Sequence, residues 1–62
     1  MENRLAIKGA DYARDAVAML ASGNPNHSAR EAMAKLAVAH GNYTDEGKAI
    51  WREYLEAGCP AS

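Results

Sequence analysis

Residues 44–58, TDEGKAIWREYLEAG, hold the only Trp of the chain and constrain its fold more than any other stretch. Ile50, Trp51, Tyr54 and Leu55 recur at i, i+1, i+4 and i+5, so on a helical period they make one broad apolar face. Lys48, Arg52, Glu53 and Glu56 fall on the other side. Thr44 is a good N-cap residue, Asp45 and Glu46 suit the positive start of a helix, and Gly58 suits the position just beyond its end. The pattern predicts a helix over residues 45–57.

Little else in the chain is large and apolar. Leu, Ile and Val number eight in 62 residues and Phe is absent, whereas Ala alone accounts for fourteen. Packed cores normally need roughly 20% of Leu, Ile, Val and Phe together, which this chain does not reach. Disorder would also require high net charge, and here the net charge is −1 with helix-forming Ala throughout. Helices therefore form readily around a thin core, and chains of this kind gain stability by self-association or by docking on a partner. A homodimer is expected.

Two further helices are predicted. Over residues 5–22, Leu5, Tyr12, Ala13, Ala16, Met19 and Leu20 share a face, flanked by Ala6, Ala10 and Val17. Lys8–Asp11 and Asp11–Arg14 have the spacing of stabilising i,i+3 pairs. Gly9 either admits a second backbone or marks where the ordered helix begins, and Ile7 lies off the stripe. Gly23-Asn24-Pro25 breaks the pattern. Ser28-Ala29-Arg30-Glu31 then reads as a capping box opening a helix over residues 29–40, with Ala29, Ala32, Met33, Leu36 and His40 inward and Val38 outward. Gly41-Asn42 ends it, and residues 59–62 are expected to fray. The fold class is all-α: a small three-helix bundle, or a helical hairpin with an N-terminal helix added.

The chemistry-bearing residues are few. His27, His40 and Cys59 lack metal-ligand spacing. A lone Cys in the tail has no rigid element to fix a nucleophile, and so small a bundle rarely encloses a pocket. No catalytic residue, cofactor or metal is expected. Cys59 rules out an intrachain disulfide and points to a reducing compartment. No apolar run is long enough to span a membrane and no secretion signal is read, so a cytoplasmic location is expected. The Asn-X-Ser/Thr triplets at Asn26 and Asn42 coincide with helix starts, where Ser and Thr are wanted for capping.

Two functions from different classes remain. The first is protein binding: Trp51, Tyr54 and Arg52 combine the residue types commonest at interface hot spots, with Ile50 and Leu55 beside them. That apolar face spans about 140°, wider than the roughly 100° one packing neighbour needs, so one lane (Ile50 and Tyr54, or Trp51 and Leu55) is expected to meet a partner. Tyr12 and Met33 are expected to be core partners of this helix. A tiny Ala-rich chain without catalytic signature has the profile of small regulators and inhibitors made by phages and mobile elements, an association of size and class only. The second is a helix-turn-helix DNA-binding regulator, for which Arg30, Lys35 and Lys48 would supply the contacts. Asp45 and Glu46 would open its reading helix and repel phosphate, which favours the first reading.

Overall fold

A computed structural model describes residues 7–62. The fold is all-α, a small three-helix bundle of α1 (Ala10–Ser22), α2 (His27–His40) and α3 (Asp45–Glu56). α1 and α2 each pack against α3 and barely touch one another. The bundle is therefore open along one side, with α3 as its spine.

α3 forms as its residues dictate. The Thr44 side chain accepts the Gly47 N–H at 3.1 Å, and Asp45 and Glu46 occupy the first turn. At the other end the chain turns left-handed at Gly58 (φ 89°) and Cys59 (φ 52°). The Cys59 N–H reaches the Tyr54 carbonyl and the Gly58 N–H reaches the Leu55 carbonyl, both at 3.0 Å. This pair of bonds is the Schellman motif, and it satisfies carbonyls that would otherwise end the helix without partners.

α1 starts later than residue 5. Residues 5 and 6 lie outside the described residues, and Gly9 is the N-cap, with extended backbone. The cause is a competing interaction: Lys8 exchanges backbone hydrogen bonds with the α2–α3 turn, donating to the Asn42 carbonyl (2.7 Å) and accepting from the Thr44 N–H (2.8 Å). Helix continued through Gly9 would cost about 1 kcal/mol relative to Ala and forfeit both bonds. Asp11 pairs with Arg14 at 2.6 Å, while the Lys8 ammonium sits over the Tyr12 and Tyr43 rings at 5.1 and 5.4 Å.

α2 starts earlier than residue 29. Asn26, not Ser28, is the N-cap, its side chain accepting the Ala29 N–H at 2.9 Å. Starting there adds two helical residues. The inward face is also turned by one residue. Ala34 is buried, with Ala37 and Val38 packed on the core, whereas Met33 and Leu36 are 49% and 58% exposed and Ala32 and His40 are exposed. Val38, expected to face outward, points in. The same offset holds on α1: Ala13 is fully buried, while Tyr12 and Met19 are 54% and 70% exposed. Neighbouring helical positions differ by roughly 100°. Small residues face the spine because α3 already contributes the bulk of its indole and phenol rings, so α1 and α2 must approach closely.

Residues 59–62, expected to fray, are tied down. Cys59 is buried, and its carbonyl accepts from Arg30 Nε at 2.8 Å. The Tyr54 hydroxyl donates to the Pro60 carbonyl (2.9 Å), His27 Nε2 donates to the Gly58 carbonyl (2.9 Å), and the Ser62 N–H reaches the Ala21 carbonyl (3.0 Å). The tail crosses from the end of α3 to both other helices.

The glycine in α3 tests this packing. A Cβ on Gly47 would lie 2.8 Å from Tyr43 Cδ1 and 3.2 Å from the Gly9 and Lys8 carbonyl oxygens. Gly47→Ala, which in an exposed helix gains about 1 kcal/mol, is expected here to destabilise by about 1–3 kcal/mol. A lowered urea midpoint checks this, and an unchanged or raised midpoint would contradict the close approach.

Candidate docking groove

The open side of the bundle holds the most distinctive surface. Tyr12, Ala16, Met19 and Leu20 of α1, Pro25 of the connecting loop, Met33 of α2 and Trp51 of α3 line a hollow of about 440 Å³. A second hollow of about 330 Å³ adjoins it, sharing Met33 and Trp51 and bounded by Leu36, Ala37, His40, Tyr43 and Lys8. The two meet at Met33 and Trp51 in one largely apolar furrow, walled by α1 and α2 along the first hollow and by α2 with the Lys8 and Tyr43 segments along the second. It exists because those helices meet α3 through small residues and turn their larger side chains aside, both sets into the same furrow.

Trp51 belongs to both hollows and is only 5% exposed. Its ring packs edge-to-face with Tyr43 (centroids 6.0 Å apart) and with Tyr54 (6.2 Å), and Tyr43 does the same with Tyr12 (6.1 Å). The indole N–H is buried and finds no acceptor among the described residues.

The residues singled out for partner contact are divided by the structure. Trp51 and Tyr54 are both core, one from each of the two expected lanes, and Ile50 and Leu55 are half-buried against that core. Of the five, Arg52 is exposed. The broad face is used up because α3 has a packing neighbour on two sides rather than one. Tyr12 and Met33, expected as core partners, instead form the rim of the furrow.

The residues considered for nucleic acid are likewise placed. Arg30 points inward, its Nε on the Cys59 carbonyl and its Nη1 on the Pro25 carbonyl (2.9 Å). Lys35 lies 3.6 Å from Glu31 on the same helix, and Lys48 is half-buried on α3. Among the described residues no three His, Cys, Asp or Glu side chains gather as a metal site would need, and no helix is long and apolar enough to cross a membrane.

Cys59 and Tyr43 are core residues that the helical patterns do not reveal. For Cys59 the signal lies in Gly58: a left-handed glycine after a helix places the next residue back against the last turn, here beside Tyr54. For Tyr43 no periodic signal exists, since it sits in a turn.

No known protein-family model, curated protein or solved structure matches the chain. The fold and groove therefore stand by themselves: a small all-α three-helix protein with an apolar furrow between two of its helices.

Trp51 can be tested directly. Trp51→Ala is expected to cost about 3–5 kcal/mol. Trp51→Phe removes an N–H that has no partner, so only packing is lost, at about 1–2 kcal/mol. Urea unfolding followed by circular dichroism checks this; equal costs for the two variants would contradict the unbonded indole.

Proposed function

We propose that this chain is a non-enzymatic, protein-binding regulator or inhibitor whose working surface is the furrow between α1 and α2. The observation that carries the reading is the exposure of Tyr12, Met19, Met33 and Leu36 around one furrow with a tryptophan floor. Contiguous apolar surface rimmed by polar side chains is typical of sites where proteins meet, and Met-rich walls adapt to the shape of an occupant. Occupation of the furrow blocks or modulates the partner. The phage-type association rests on size and class alone, and the buried free thiol of Cys59 suits the reducing interior of a cell.

The charges give the DNA-reading alternative no support. The exposed side of α3 carries Asp45, Glu46, Glu53 and Glu56 against Arg52, and a reading helix so charged repels phosphate.

Affinity capture with the wild-type chain and with Met33→Glu as baits tests the proposal. A host protein retained by the wild type and lost by at least tenfold with Met33→Glu is expected. Retention of the same proteins by both baits would contradict it.

A further inference from the structure

We infer that the furrow is closed, in the free protein, by the furrow of a second copy of this chain. The inference rests on the reading of the furrow as a protein-docking surface and names its occupant.

Area argues for it first. Tyr12, Met19, Met33 and Leu36 keep between 49% and 70% of their surface exposed, on a chain whose total accessible surface is 4092 Å². Those four side chains alone hold on the order of 500 Å², more than half of the roughly 800 Å² per partner of a standard interface. The flanking alanines, Pro25 and His40 add to it. A patch of this size on a protein this small is a large share of its surface.

The core argues for it next. Of the six buried hydrophobic residues among those described, three are Ala and one is Cys, leaving Trp51 and Tyr54 as the large ones. Met19, Met33 and Leu36, which would thicken that core, lie outside it. Facing two furrows together buries them and gives each chain a second apolar layer.

Charge permits the pairing. The net charge is −1, so two copies repel weakly. Lys8 and His40 lie at one end of the furrow and Pro25 at the other. A two-fold axis across the furrow sets each Lys8 ammonium against the partner's Pro25 end, keeping the two lysines apart. The methionines on either wall fill the irregular gap between copies. A heterologous partner then displaces the second copy, and its apparent affinity falls as the concentration of the chain rises.

Sedimentation equilibrium of the full chain from about 1 µM to about 500 µM tests this. The expected result is a concentration-dependent rise from the 6.6 kDa monomer to twice that mass. Met33→Glu and Leu36→Glu should each stay monomeric while keeping wild-type helical circular dichroism, because both positions are already exposed. Arg52→Glu, outside the furrow, should still dimerise. A wild type monomeric throughout, or a dimer undiminished by both furrow substitutions, overturns the inference. In the monomeric case a synthetic Leu-rich amphipathic helix is added and Trp51 emission followed. A saturable shift then sinks only the second copy and leaves the docking reading, whereas no shift sinks both.

Discussion

The edge-to-face series of Tyr12, Tyr43, Trp51 and Tyr54 is the interaction on which the rest of this structure depends. These four rings are every Tyr and Trp the chain possesses, and they run in contact from α1 through the α2–α3 turn to the last turns of α3. Each such pair adds about 0.5–1.5 kcal/mol beyond simple burial. A chain of this length has on the order of 3–9 kcal/mol of stability in all, so three pairs are a large part of it. Lys8, over two of the rings, ties the segment before α1 to the same series.

Concentrating bulk on the spine has a geometric consequence. α1 and α2 approach through Ala13, Ala34 and Ala37, and helices that meet a bulky neighbour through alanine turn their own large residues away. Met19 stands one position before Leu20, and Met33 one before Ala34, so both methionines are displaced around their helices into the space between α1 and α2. The open furrow is thus the complement of the closed spine. The tail reinforces the closed side: Arg30, Tyr54 and the Ala21 carbonyl bind successive groups of residues 59–62.

The parts of this arrangement that follow from local chemistry are legible in the sequence. Three helices are, and so is the α3 cap at Thr44, because capping and periodicity are short-range. The Gly9 boundary is legible as one of two options, and the backbone pairing of Lys8 with residues 42 and 44 decides between them. The rotation of α1 and α2 is not legible, because a stripe such as Met33–Leu36 is more hydrophobic than Ala34–Ala37 and periodicity favours the larger residues. What reverses the preference is steric and nonlocal: the space beside Trp51 admits alanine. The same steric effect moves the candidate docking surface. Trp51 and Tyr54 carry the composition of a hot spot, yet α3 lies between two helices and buries them, while the large exposed apolar side chains, Ile7 apart, belong to α1 and α2.

The central claim is that α3 and the tail that follows it hold α1 and α2, which touch one another little. Native-state hydrogen exchange, read amide by amide, tests it most directly. The slowest-exchanging amides should be those of α3 around Trp51 and Tyr54, with those of α1 and α2 opening independently at lower free energy. Equal protection across all three helices, lost in one cooperative step, would contradict the claim, because it would require direct coupling between α1 and α2.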